Sequence, residues 1–307
     1  MRFFTSSKQH MNKILAVINF IIIVSCAQVE ESDAKINLIN TIQSFEINQS
    51  WSQEPNGFNR NVFYRYPVND NSSNPVAIVL HGNGGDAENE INKYSFLTKH
   101  VIVAPQGYKK SWNIGREESK APDVDFIGKI ITQIVDLKNI DKNKISIIGY
   151  SNGSALINQL LIELKSINFE SAVCAFSQLN TLQYRNGTFW SRSSIDSDVH
   201  DLRGSPNNNK RILSFAGTED KVCPYYGGLG IFNYNFINAE EVAFIWAKAN
   251  NYQNQKINNP TLESENIYKF SYLQGNVVHY KLVGAGHGFN EKLKEKTNKL
   301  IKDFIEK

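Results

Sequence analysis

What this chain has little of narrows the field first. Its 307 residues include three cysteines, too few for a disulfide framework to replace a hydrophobic core. Neither sign of charge dominates. Lys and Arg total 33 against 30 Asp and Glu, and three of the basic residues, Arg2, Lys8 and Lys13, fall in the first 25 positions, where no acid occurs. Without that leader the balance is even, and no dense Lys/Arg stripe replaces it, so the chain lacks the field that draws in nucleic acid. No tight group of His, Cys and Asp calls for a metal. No internal repeat is visible, and no apolar run reaches the roughly 18 residues that span a bilayer.

What is present begins with an export signal. A basic start leads into the apolar run "ILAVINFIIIV" from Ile14 to Val24, and small residues follow; this three-part pattern is that of a secretory signal over residues 1–25. Met11, followed by Asn12 and Lys13, is an alternative start to Met1. The segment ends in "IVSCAQ", which resembles a bacterial lipobox, with cleavage before Cys26 and lipid on its thiol. The expected location is the bacterial cell envelope, anchored to the membrane through Cys26, with plain secretion as the alternative. Of the other two cysteines, Cys174 and Cys223, sequence alone leaves open whether they pair or stay free. Residues 26–60 are polar with few sustained apolar patterns and read as a tether. The folded unit is expected over 61–307.

Within that unit, strand-like runs appear at "NVFYRYP" (61–67), "VAIVL" (76–80), "VIVAP" (101–105), "KISIIGY" (144–150), "SAVCAFS" (171–177) and "RILSFA" (211–216). Several are continuous in apolar residues, as strands buried on both faces of a parallel sheet are. Between them "FIGKIITQIVDL" places Phe126, Ile130, Ile131, Ile134 and Leu137 on one helical face, and 154–166 and 239–250 carry similar stripes. The alternation predicts an α/β fold with helices on both faces of the sheet. A late hairpin around Gln274-Gly275 and a C-terminal amphipathic helix complete it. The polar stretch 178–209 is long for a loop and is expected to be a small or partial cap over a site.

Between a buried-strand pattern and a helical one stands "GYSNG", residues 149–153. That is the setting of a nucleophile elbow, in which flanking glycines permit a turn tight enough to expose a serine hydroxyl. Ser151 is the expected nucleophile. A serine needs a base and an acid behind it, in the chain order Ser, acid, His. Downstream, "FAGTEDKVC" offers Glu219 or Asp220 as the acid, and "GAGHGF" offers His287 as the base. His200 precedes the acid and His279 lies within a strand pattern, so neither suits that order. Asp123 and Asp125 read as charge at a helix N-terminus.

The segments "VLHGNGG", "VAPQGYKKSWNIG", "DVDFI", "GYSNGSA", "GTEDKVCPYYGG" and "GAGHGF" together resemble the polyhydroxybutyrate depolymerase and feruloyl esterase group of α/β-hydrolases, which is like carbohydrate esterase family 1. The likeness runs over roughly residues 61–290. It implies the α/β-hydrolase fold, Ser151, Asp220 and His287 as a catalytic triad, and no cofactor. It implies an oxyanion hole from the backbone N–H groups of Asn83 and Asn152, and a structural role for His81. Two positions depart from the group's pattern: no Trp-Pro follows His287, and Ala216 stands where a histidine is usual. Trp112, Tyr225, Tyr226 and Phe289 fall on loops after strands, on the edge where α/β ligands bind, and are the expected substrate contacts. The function implied is serine carboxylic-ester hydrolysis, most directly of feruloyl or acetyl groups on polysaccharide. The alternatives are a polyhydroxyalkanoate (oligo)ester depolymerase, a serine peptidase of the same fold, and a non-catalytic envelope binding protein.

Overall fold

The computed structural model describes residues 41–68, 73–165, 168–206 and 209–307; the export signal of 1–25, Cys26 and the first part of the expected tether lie outside them. The first two strands, β1 (Gln43–Trp51) and β2 (Glu54–Arg65), form an antiparallel hairpin. The tether expected to run to residue 60 is thus corrected: from Gln43 onward it is sheet. The signal was diluted. Phe45, Ile47 and Trp51 alternate as a half-buried strand should, but the intervening inward position is Gln49 and the residue opposite Ile47 is Arg60, both buried polar side chains.

The apolar runs follow as β3 (Asn74–Leu80), β4 (Val101–Pro105), β5 (Ile140–Tyr150) and β6 (Ser171–Ala175). All five residues of β4 and of β6 are buried. Three short strands, β7 (Tyr184–Arg185), β8 (Thr188–Ser191) and β9 (Leu202–Arg203), make a small separate sheet inside the polar stretch. Then come β10 (Arg211–Gly217), the two-residue pair β11 (Gly228–Leu229) and β12 (Asn235–Phe236), and β13 (Thr261–Ser264), β14 (Ile267–Tyr272) and β15 (Val277–Leu282). Among the described residues the central sheet has ten strands in the order β1-β2-β4-β3-β5-β6-β10-β15-β14-β13. Its middle, from β4 to β15, is parallel throughout. The β1–β2 hairpin closes one edge and β14–β13 the other, both antiparallel.

Among the described residues five α-helices cover the two faces: α1 (Ala87–Lys93), α2 (Asp123–Ile134), α3 (Asn152–Glu163), α4 (Ala239–Ala249) and α5 (Glu291–Ile305). On one face Phe126, Leu156 and Val242 of α2, α3 and α4 join the inward side chains of the sheet; on the other Ile91 of α1 and Ile301 and Phe304 of α5 do so. Asn238 accepts from the N–H groups of Glu240 and Glu241, and Asn290 from that of Leu293, caps worth about 1 kcal/mol each. The layering is the α/β arrangement expected from the alternating runs. Every parallel strand delivers its C-terminal end to one edge, where β3, β5 and β10 each release a loop.

Candidate active site

Strand β5 ends at Tyr150 and α3 begins at Asn152, leaving Ser151 to make the whole turn at φ 53°, ψ −118°. A non-glycine residue held in this region costs on the order of 1–3 kcal/mol, and the neighbours make it possible. A Cβ on Gly149 would meet the carbonyl of Gly153 at 2.5 Å, and one on Gly153 would meet the carbonyl oxygen of Leu80 at 2.4 Å. Only glycines let strand, turn and helix approach so closely.

The loop after β10 brings in the acid. Asp220 is 5% exposed, and its Oδ1 accepts from the N–H groups of Val222 (2.8 Å) and Cys223 (2.9 Å), which leaves Oδ2 for the His287 Nδ1 at 2.7 Å. Across the ring, Nε2 lies 2.8 Å from the Ser151 Oγ. With Asp220 accepting from Nδ1–H, the neutral imidazole turns its lone pair on Nε2 toward the serine hydroxyl. Glu219, the other acidic candidate, is exposed. The acid and histidine loops are in backbone contact: the Glu219 N–H donates to the Ala285 carbonyl at 2.9 Å, and the Gly284 N–H to the Thr218 hydroxyl at 2.9 Å.

Asn83, on the loop after β3, lines the same cleft as Ser151 and Asn152. Among the described residues the backbone N–H groups of Asn83 and Asn152 make no hydrogen bond, so both remain available to an oxyanion. The Asn152 side chain does something sequence reasoning missed. Its Oδ1 accepts from the Trp112 N–H at 2.6 Å and its Nδ2 donates to the Trp112 carbonyl at 3.1 Å, clamping the cleft wall to the elbow. His81 is buried, donating from Nδ1 to the Gly82 carbonyl (2.7 Å) and accepting at Nε2 from the Gly107 N–H (3.0 Å); burial lowers its pKa. It shapes the Asn83 loop, as expected.

The four aromatic residues expected at the substrate are not brought together around Ser151. Trp112 is fully buried behind the wall, its Nε1 donating to the His81 carbonyl. Tyr225 is 1% exposed and turned into the core, its hydroxyl donating to Glu240. Tyr226 points outward, 64% exposed, near the Lys281 ammonium. Phe289 packs on Phe176 and Phe215 and lines a separate groove with Tyr94 and Tyr150. A position on a loop after a strand fixes the edge of the sheet but not the direction of the side chain. In their place the cleft is walled by Ile114, Ile231, Phe232, Tyr234 and Phe236. The aromatic run "GIFNYNF" carried that signal.

The 178–209 stretch contributes Asn180 to the cleft, while its β8 packs Phe189 on Trp246 of α4. It also braces the wall: Arg192 donates to both the backbone carbonyl and the side-chain oxygen of Asn113. Cys174 and Cys223 are free thiols, both buried, and burial pushes each up to about 12. Asp123 is the buried partner of Arg60 at 2.6 Å, and Asp125 pairs with Lys129, so neither belongs to the site. Among the described residues no group of His, Cys, Asp and Glu is arranged to hold a metal, and no helix is long and apolar enough to cross a membrane.

Comparisons with known proteins bear on the fold that carries this site. A family model described as C2orf69 matches residues 4–193. Feruloyl esterase B of Piromyces equi is 26% identical over 154 residues, half of this chain, and the match spans a quarter of that relative's length. The acetyl xylan esterase from Aspergillus awamori superposes over 86% of this chain and 99% of its own with a TM-score of 0.58 at 13% identity. The acylaminoacyl peptidase of Pyrococcus horikoshii does so over 87% of this chain and 42% of its own, at 0.53 and 14%. These likenesses show the α/β-hydrolase fold, which hosts cleavage of esters and of amides alike.

Proposed function

We propose that this chain, which belongs to the C2orf69 family, is a serine carboxylic-ester hydrolase working through an acyl-enzyme on Ser151. The observation that carries the reading is the continuous relay from the Ser151 Oγ through both ring nitrogens of His287 to Asp220, at 2.8 and 2.7 Å. In the forward step Nε2 takes the hydroxyl proton as Oγ attacks the ester carbonyl carbon. Asp220 holds the ring in the tautomer that can do so and stabilises the imidazolium. The tetrahedral oxyanion is met by the N–H groups of Asn83 and Asn152, each donor worth about 3 to 4 kcal/mol of barrier. Collapse expels the alkoxide, which takes its proton from Nε2. Water, activated by the same nitrogen, then releases the acid.

The substrate class is a feruloyl or acetyl ester on polysaccharide. The similarity to a feruloyl esterase and the shared fold with an acetyl xylan esterase support it. A second reading, a polyhydroxyalkanoate (oligo)ester depolymerase, is favoured by one observation: Leu229, Ile231 and Phe232 leave an exposed apolar lip beside the cleft. The enzyme is assigned to the bacterial cell envelope through lipid on Cys26, in keeping with "IVSCAQ".

The deciding experiment is a hydrolysis panel of feruloylated, acetylated, polyester and aminoacyl substrates, with fluorophosphonate labelling of Ser151. Hydrolysis of an ester, lost together with the label in Ser151→Ala, supports the reading. Turnover confined to aminoacyl amides moves it to a peptidase, and a folded protein that neither labels nor hydrolyses refutes it. For the anchor, Cys26→Ala should release the protein from membranes; an unmodified mature terminus at another residue rules the anchor out.

A further inference from the structure

The cleft at Ser151 is small. Its cavity volume is about 30 Å³, room for two or three water-sized groups at roughly 10–15 Å³ each. The neighbouring groove lined by Phe289 and Tyr94 measures about 310 Å³ on the same scale. The part of an ester that enters the small cleft follows from geometry. Ser151 and both oxyanion donors line it, but His287 does not. The departing alkoxide must face Nε2 to be protonated, so the alcohol lies toward His287. The group left to occupy the cleft is the acyl chain.

Its wall is held at consecutive residues. Trp112 is clamped at both its N–H and its carbonyl by the Asn152 side chain. The Asn113 N–H donates to Asp123 at 2.6 Å, and the N–H groups of Ile114 and Gly115 donate to the Glu117 carboxylate at 2.9 and 3.0 Å. Glu117 also accepts from the Tyr234 hydroxyl, which accepts in turn from the Arg116 N–H at 2.9 Å. The Arg116 guanidinium donates to the carbonyls of Phe232 and Asn233. Widening the cleft means breaking several of these buried bonds together, at a cost that burial raises.

Resting on the esterase reading above, we infer that Ser151 is selective for esters of short acyl groups of about two to four carbons, with Ile114 on the wall and Ala155 on the floor setting the limit. This puts the chain on the acetyl side of the choice between acetyl and feruloyl. Ala155 lies one turn of α3 beyond Ser151 and lines the cleft, so a larger side chain there would narrow it.

The test uses the full chain and p-nitrophenyl acetate, butyrate and octanoate. The kcat/KM should fall about 100-fold from acetate to octanoate. Ile114→Ala should raise the butyrate-to-acetate ratio about tenfold, and Ala155→Val should lower it by a similar factor. The ratio within one variant does not depend on how much of that variant is folded. A wild-type protein that labels at Ser151 and hydrolyses octanoate or methyl ferulate as fast as acetate overturns the size limit and leaves the esterase reading standing, and so does a ratio that moves in neither variant. No label and no hydrolysis of any ester overturns both.

Discussion

Tyr150, the residue before the serine, donates its phenolic hydrogen to the backbone carbonyl of His287 at 2.6 Å, and its ring lies 5.8 Å from the imidazole. His287 is therefore tied to the turn that carries Ser151 by a contact separate from that of Asp220. Removing only the hydroxyl, in Tyr150→Phe, should free the histidine loop without emptying the space beneath it. We expect kcat to fall about tenfold with KM little changed and the melting temperature within a few degrees, because a misplaced base costs rate and not ground-state binding. Steady-state kinetics on a p-nitrophenyl ester checks it. A change in KM alone would assign Tyr150 to substrate binding.

The neighbouring carboxylates at 219 and 220 make a paired test. Asp220→Asn should lower kcat by about 10⁴ with the fold intact, since an amide in that place favours the wrong tautomer of His287. Glu219→Gln, at an exposed side chain, should change kcat less than about twofold. The same ester assay and a circular dichroism spectrum of each variant settle the ranking.

Gly153→Ala drives a methyl toward the Leu80 carbonyl oxygen, 2.4 Å from where it would stand. That contact is backbone on backbone, so the strand or the helix must shift, and the expected loss is about 1–3 kcal/mol. In a chain of this size thermal melting should register roughly 2–4 °C for each kcal/mol. Gly286, with nothing within 4 Å of the same position, is the control: Gly286→Ala should melt close to the parent.

Stability should depend on pH through His200. Burial, and then the Arg192 guanidinium, push its pKa down to about 4 from the ordinary 6.5. Between those values the unfolded chain binds a proton that the folded chain refuses, so stability is full above pH 6.5 and drains as pH falls toward 4. The slope is up to about 1.4 kcal/mol per pH unit. His200→Leu should flatten that part of the dependence. The check is the difference in urea midpoint between pH 7 and pH 5, which should be smaller in the variant than in the parent.

The parts of the site legible in sequence are those that chain order and backbone sterics dictate. Gly149 and Gly153 announce the turn, and the order of Ser151, Asp220 and His287 follows the strands that carry them. The aromatic contacts were not legible, because Trp112 and Tyr225 face inward to satisfy Nε1 and Oη on His81 and Glu240, partners distant in sequence. The β1–β2 hairpin was missed for a related reason. Its inward positions include Gln49 and Arg60, whose partners Asp125 and Asp123 lie on α2.

The Arg60 and Asp123 pair reaches beyond the hairpin. Both side chains are at most 1% exposed, and the guanidinium also lies 3.6 Å over the Phe126 ring. The second oxygen of the same aspartate holds the Asn113 N–H, one of the links in the cleft wall. A protease nick or an expression boundary placed just after residue 60, where composition changes from polar to apolar, would strip Asp123 of its cation. It would leave a buried charge uncompensated, at a cost of about 3–5 kcal/mol, and would loosen the cleft at Ser151 from a distance. The hairpin thus acts as the keystone of the pocket, and a fragment of this chain that keeps the cleft intact has to retain both β1 and β2.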